Sequence, residues 1–364
     1  MAYEIDFVGS KNAAKDYDAI AFRYIKSNGA WMTCVFDGGT SDAGEDLVRH
    51  LKRYYSLQDK PIDFVFCSHP DLDHASGLKQ IFEQFKVNYL VMNRPWDYVD
   101  DLFELVRDRR TTKDSLEREL REKYKFINDL EQLAKNQKCQ ILSGISDDVL
   151  CGELRIMSPS KDFYIQSLVD SEKTPAMDSL PTSTVAFGSA RAAVKAATQW
   201  IKAIWGKDAI RDGEKTTPDN DASIILRVCP PSDKPFLLVG DAGCSGLSAA
   251  LDFADEKGIP LDRCDFIQVP HHGGRHNVSP SILNRLIGPI LPESSTPSKT
   301  AFVSVCKDSD HPRKSVINAF INRGCNVFVS RENTIRHYRG EVPDRGWSNA
   351  NAECFSDSVE AWKN

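Results

Sequence analysis

A chain of 364 residues, 41% hydrophobic and 27% charged, can bury a sizeable core as one large domain or two average ones. Its net charge of −6 argues against a broadly basic face for gripping long duplex nucleic acid, and no apolar run reaches the ~18 residues of a membrane span. Ten cysteines without a CxxC pair read as buried thiols in a reducing compartment. The opening MAYEIDFVGS has no charged segment leading into a long apolar one, so no signal peptide is expected and the cytoplasm is the default location.

In chain order, YEIDFV, AIAFRYI and WMTCVFDGG read as strands of an antiparallel meander. A helix over GEDLVRHLKRYY precedes the strand IDFVFCS, and SGLKQIFEQF reads as a helix with Ser76 as its cap. VNYLVM is the next strand. Residues 96–137 are charged and helix-patterned, whereas 166–218 begin as a loop and continue as a helix over SARAAVKAATQWIKAIW. Both segments read as insertions into a strand-rich framework. Strands and helices then alternate through ASIILRV, PFLLVGD, SGLSAALDFADEKG, CDFIQVP, AFVSVC, KSVINAFINRG and NVFVS. The pattern predicts a layered α/β protein with two sheets and outer helices, one domain over 1–364. Lys307, Arg313, Lys314, Arg331, Arg336 and Arg339 are expected on a solvated face.

The chemistry concentrates where apolar strands stop. FVFCSHPDLDHASGL, Phe64 to Leu78, runs from a strand into His69, Asp71, Asp73 and His74. A loop at a strand end can turn such positions toward one centre. Four candidate ligands in six residues exceed what one open catalytic ion takes, about three, so two ions are the natural reading. A solvated acidic turn is the bland alternative, and two further segments weigh against it. PFLLVGDAG puts Asp241 at another strand end, and DFIQVPHHGG does so with His271 and His272. An isolated aspartate after a strand is more often a cap; three such strand ends together point to a metal site along one sheet edge.

SHPDLDHASGL, LLVGDAG and VPHHGG together resemble the metallo-β-lactamase fold, a four-layered αβ/βα sandwich, and more narrowly the branch containing the hydrolase domain of ComEC, the DNA-uptake protein of competent bacteria. NDASIILRV, HHGG, the DHP at Asp310 to Pro312, the opening hairpin DFVGSKNAAKDYDAIAFRY and VFDGG extend the resemblance over most of the chain outside the two insertions. It implies that His69 and Asp71 serve one ion, that Asp73, His74 and His271 serve the other, and that Asp241 bridges them. The superfamily pattern has a histidine where Asp71 stands and another shortly before the GD strand, where this chain has PDNDAS, which leaves that second place to Asp219, Asn220, Asp221 or water. Both departures put oxygen in place of nitrogen, which favours manganese, with zinc close behind. His272 is expected to orient His271 or touch substrate, and His311 to donate a proton or contact phosphate. Plain structural placement suits His50, His276 and His337 better.

These readings converge on a two-metal hydrolase, in which paired ions bring a bound water toward neutral pKa and balance charge on an in-line displacement. Asp73 positions the nucleophile, and Arg275, Arg313 and Lys314 are candidate phosphate contacts. The expected substrate is a nucleotide or a short or single-stranded nucleic acid, through the implied kinship with a nuclease or nucleotide phosphodiesterase. Two rivals remain at this level: cleavage of a carbonyl substrate such as a lactone or amide, and a non-catalytic metal-binding protein that uses 96–137 to hold a protein partner. No membrane association is expected.

Overall fold

Alternating apolar residues send side chains to both faces of most strands, and that periodicity fixes the layering. The computed structural model describes residues 2–57, 60–108, 110–147, 149–175, 199–231 and 233–362. The first strands are β1 (Tyr3–Phe7), β2 (Ala19–Ile25), β3 (Trp31–Gly38), β4 (Ile62–Phe66), β5 (Val87–Val91) and β6 (Gln140–Leu142). There follow β7 (Val149–Cys151), β8 (Leu154–Ser158), β9 (Trp200–Lys202), β10 (Ile225–Val228) and β11 (Phe236–Leu238). Last come β12 (Phe266–Gln268), β13 (Lys299–Ser304), β14 (Cys325–Ser330), β15 (Ile335–Arg339) and β16 (Ser358–Glu360).

One sheet has the order β15-β1-β2-β3-β4-β5-β6 and the other β14-β13-β12-β11-β10-β8-β7, with β9 and β16 forming a separate ribbon. The meander of β1, β2 and β3 is antiparallel, and β3 to β6 are parallel. The second sheet repeats the plan, antiparallel from β7 to β11 and parallel from β11 to β14. Ile5, Phe22, Phe36 and Phe66 meet Leu226, Phe236, Phe266 and Phe302 in a core between the sheets. Their strand neighbours Ala21, Val35, Val65 and Leu90 pack outward against helices Ser41–Tyr54, Leu78–Gln84 and Lys125–Gln137. Leu237, Ile267 and Val303 do the same against Cys244–Glu256, Pro280–Leu286 and Lys314–Ile321. Helix, sheet, sheet and helix make the four-layered αβ/βα sandwich. No helix among the described residues is long and apolar enough to cross a membrane.

Three details depart from expectation, and a fourth adds to it. Ser76 does not cap Leu78–Gln84, whose N-cap is Gly77; it ends the short helix Leu72–Ala75 and donates to Leu72 O at 2.6 Å. That frees Gly77 to press against β3, where a Cβ would lie 2.0 Å from Gly38 O. Of the helix expected over 189–205, residues 189–198 lie outside the described part, and Trp200–Lys202 is strand β9, paired with β16. The segment 166–218 begins inside helix Lys161–Asp170. Between 96 and 137 the charged helices are not free in solvent: Trp96, Leu116, Leu120, Ile127 and Leu130 join the outer core of the first sheet.

The supposed solvated basic face is also partly an interior one. Arg336 pairs with Glu4, and Arg345 reaches both Glu4 at 3.0 Å and Asp6 at 2.9 Å, all with side chains almost wholly buried. His50 Nε2 and Tyr55 OH close the shell around Asp6 at 3.0 and 2.6 Å. Burial alone would raise the Asp6 pKa, but His50 and Arg345 bring it down to about 2. A carboxylate depressed in the folded state contributes stability that is complete above its unfolded value, near 3.8, and fades as pH falls toward 2. The stability gap between wild type and Asp6→Asn is expected to narrow by about 2 kcal/mol over that window, as read by denaturant unfolding. A gap independent of pH would show that the carboxylate is not the group held there.

Candidate metal centre

Parallel strands end on one edge of each sheet, and the two edges face one another here. β4 delivers Ser68 and His69 two and three residues past Phe66, and the short helix Leu72–Ala75 carries Asp73 and His74. β11 leads to Asp241, and β12 to His271 and His272. Both histidines take left-handed backbone angles, φ 48° and 54°. Such angles are strained for residues with a side chain and are held by surrounding structure. Gly273 follows at φ 81°, where a Cβ would meet Pro312 Cβ at 2.4 Å, so the HHGG turn needs glycine there to lie against the His311–Pro312 segment.

Asp241 joins two groups of donors, one at each carboxylate oxygen. Around Oδ2 lie His69 Nε2 at 3.8 Å and His271 Nε2 at 3.5 Å, with Asp71 Oδ2 3.9 Å from His69. Around Oδ1 lie His74 Nε2 at 3.1 Å and His272 Nε2 at 4.0 Å, with Asp73 Oδ2 3.7 Å from His272. Asp18, His74, Asp241 and His272, all buried, each offer one ligand atom within 4.8 Å of the others.

Each histidine is oriented by its far nitrogen. Ser68 gives its hydroxyl proton to Asp37 at 2.6 Å, so His69 Nδ1–H donates to Ser68 Oγ at 2.9 Å. His74 Nδ1–H donates to Asp37 at 2.9 Å, His271 to Asn277 at 2.7 Å and His272 to the Ser304 carbonyl at 2.9 Å. With Nδ1 committed, every ring turns Nε2 inward, which is how metal-binding histidines are usually fixed. The Nε2 atoms of His69, His74 and His272 and Oδ1 of Asp241 are buried with no hydrogen-bond partner. Buried polar atoms left so cost about 1–3 kcal/mol each. Bonds of about 2.0–2.2 Å to shared cations place donors roughly 3–3.5 Å apart, close to the separations found, so the residues fit divalent ions.

Electrostatics agree with a site built for positive charge. Burial would lower the pKa of both His74 and His272; Asp241 and Asp37 instead raise His74 well above the ordinary imidazole value, and Asp241 with Asp73 bring His272 up to about 10. Burial and the neighbouring His74 push His69 down. Asp241 and Asp73 lie below the usual carboxylate range despite burial, because of the histidines around them, while burial lifts Asp18 to about 6.

The expected site residues fall into three sets. His69, Asp71, Asp73, His74, Asp241 and His271 converge, and the allocation changes in one respect: His272, not His271, stands against Asp73 and His74. Of the three candidates in PDNDAS, only Asp219 turns toward the site, through Lys173. Asn220 bonds to Thr216, and Asp221 accepts from Gly246 N at the start of helix Cys244–Glu256. Lys314 points elsewhere, its ammonium 5.1 Å from the Trp200 ring centre. Arg275 donates to the carbonyls of Glu360 and Ala361 and stacks on Trp362.

Sequence reading assigned no role to Asp16, Asp18, Asp37 or Lys173. Asp37 was visible only as a turn aspartate in VFDGG. Asp18 opens an apolar strand instead of ending one, and Gln268 Nε2 donates to it at 2.9 Å. Asp16 accepts from His311 Nδ1 at 3.0 Å and from Ser309 at 2.6 Å; burial opposes its charge, but these bonds hold it below the usual range. Above the donors opens a cavity of about 660 Å³ lined by Asp71, Lys173, Lys215, His271, Arg275, His311 and Arg313, among others.

Residues 24–127, less than half of the chain, match the family model of the metallo-beta-lactamase superfamily. No curated protein matches the chain. Among solved structures, a long form RNase Z from yeast aligns over 82% of this chain at 11% identity and a TM-score of 0.36. The aligned part spans only 36% of that enzyme's length. Metallo-β-lactamase SMB-1, bound to 2-mercaptoethanesulfonate, aligns over 75% of this chain and 80% of its own at 8% identity and a TM-score of 0.29. The metallo-β-lactamase MIM-1 from Novosphingobium pentaromativorans covers 78% and 80% at 11% identity and a TM-score of 0.26. Two stacked mixed sheets between helical layers, with a family match over the segment that carries His69 to His74, give this chain the metallo-β-lactamase sandwich fold.

Proposed function

We propose that the chain is a two-metal phosphodiesterase acting on a nucleotide or on short or single-stranded nucleic acid, with manganese or zinc as its ions. The observation that carries this reading is the set of partnerless buried donors, His69, His74 and His272 Nε2 and Asp241 Oδ1, beneath a cavity where Arg275 and Arg313 stand beside the donors and Asp170, Glu172 and Asp219 share the wall with Lys173. In this reading His69, Asp71, His271 and Asp241 hold one ion, and Asp73, His74, His272 and Asp241 the other. When bound, such ions lower the pKa of water and neutralise charge on the reacting group. Three carboxylates among the ligands favour manganese more than an all-histidine set would. The resemblance to the ComEC branch points to the same substrate class.

The chain's own residues divide the remaining work. Arg313 and Arg275, beside the donors, suit a phosphate; Arg275 is already pinned and stacked, so it offers a fixed charge. His311, held by Asp16 and with its ring 6.4 Å from that of His271, suits proton donation to a leaving oxygen. A carbonyl substrate would have little use for the Arg275 and Arg313 guanidinium groups beside the donors.

Protein loaded with manganese is expected to cleave bis-p-nitrophenyl phosphate and to leave a chromogenic lactam intact; the reverse preference would sink the phosphodiester assignment. Single-strand binding by metal-free protein should show a shallow salt slope, roughly −1.4, since Arg275 and Arg313 are the two cations placed for phosphate. A steep slope, with affinity that keeps rising with duplex length, would mean a long basic groove instead.

A further inference from the structure

The two donor groups differ in their surroundings. Around Asp241 Oδ1 the side chains of His74 and His272, with the neighbouring Asp18, are at most 3% exposed, and Asp73 alone reaches 30%. Around Oδ2, Asp71 is 36% exposed and His271 32%. Asp71 is also shared. Its Oδ1 accepts from Lys173 Nζ at 2.6 Å, and the same ammonium lies 3.1 Å from Asp219 Oδ2. The Asp71 carboxylate thus faces His69 with one oxygen and a fixed organic cation with the other. Asp219 is itself anchored, taking hydrogen bonds from Tyr124 OH at 3.3 Å and Ser171 Oγ at 3.1 Å.

We infer that Lys173 is a built-in competitor for Asp71 that makes the His69–Asp71–His271 group the weaker, exchangeable metal position. This inference rests on the two-metal reading above. The physical basis is twofold. A positive charge on the far oxygen of a ligand carboxylate would repel a divalent ion in a partly desolvated site, where charges a few ångströms apart interact far more strongly than in water. The ammonium also draws electron density from the carboxylate that must serve as ligand. Asp219 matters because it holds part of the ammonium away from Asp71; a neutral residue there would turn Lys173 wholly onto Asp71. Lys173 is therefore a positioning residue, and its charge sets how readily the outer ion comes and goes at the cavity mouth.

The test is a manganese titration of metal-free full-length protein, followed by calorimetry and by elemental analysis after dialysis. Wild type should load in two steps. Lys173→Met should tighten the weaker step by roughly tenfold or more and leave the tighter step unchanged. Asp219→Asn should weaken that same step, the opposite sign; the tightening in Lys173→Met is what a general loss of folding cannot produce. Because Asp219 keeps its Tyr124 and Ser171 bonds in Lys173→Met, that variant is expected to stay folded, which circular dichroism verifies. Wild type that binds two ions with equal affinity, or a Lys173→Met variant whose weaker step is unchanged or weakened, overturns the inference while leaving two metals in place. Wild type that binds one ion or none overturns the two-metal reading itself.

Discussion

Asp241→Ala is expected to leave protein with essentially no tightly held divalent ion and to lower phosphodiesterase turnover by roughly 10³-fold or more, about 4 kcal/mol of transition-state stabilisation. The size of the effect follows from position. Among the described residues Asp241 is the carboxylate that addresses both groups of donors, Oδ1 toward His74 and His272 and Oδ2 toward His69 and His271. Removing it takes a ligand from each ion at once. In metal-free protein the same change withdraws the largest influence that holds protons on His74 and His272, so both rings should titrate lower in the variant. His271→Ala removes a ligand from one group only and should cost about one ion per chain. Metal content after dialysis separates the two variants, and Asp241→Ala protein that retains both ions would reduce Asp241 to a turn residue.

What could be read from the sequence was local, and what could not was long-range. HPDLDH, GDAG and HHGG were legible because each follows an apolar strand directly, so strand, turn and ligand lie within a few residues. Asp16 and Asp18 look like ordinary loop aspartates; their partners His311 and Gln268 lie 295 and 250 residues away and reach them only when the two sheets stack. Lys173 follows the same rule, meeting Asp71 across 102 residues. His271 and His272 are adjacent, and their division between the two donor groups depends on left-handed angles that periodicity does not reveal. Helical propensity also misled at Trp200–Lys202, where Ala-rich neighbours suggest a helix but pairing with Ser358–Glu360 decides for strand. Arg336 and Arg345 show why a charged residue is not a surface residue by default: Glu4 and Asp6 occupy the helix-facing side of β1 and require cations there.

His74→Ala is expected to abolish measurable turnover, at least ~10³-fold, with the fold retained, whereas Asp37→Asn should cost about 10–100-fold. The contrast comes from what each side chain touches. His74 presents Nε2 to the centre, 3.1 Å from Asp241, so its loss removes a donor itself. Asp37 touches no other donor at Asp241; it holds His74 Nδ1 at 2.9 Å and Ser68 at 2.7 and 2.6 Å, and through Ser68 it fixes His69. An asparagine keeps one acceptor oxygen and loses the charge that favours a basic His74, so the rings remain near their places but are held less well. His74→Ala leaves Asp37 with its two bonds from Ser68, which limits the folding cost to about 1–3 kcal/mol for a disturbed buried polar group. Circular dichroism and thermal unfolding should therefore find both variants folded, with manganese affinity falling in the order wild type, Asp37→Asn, His74→Ala. Equal losses of activity in the two variants would mean that Asp37 takes part in the centre directly; undiminished turnover in His74→Ala would remove the centre from the reaction altogether.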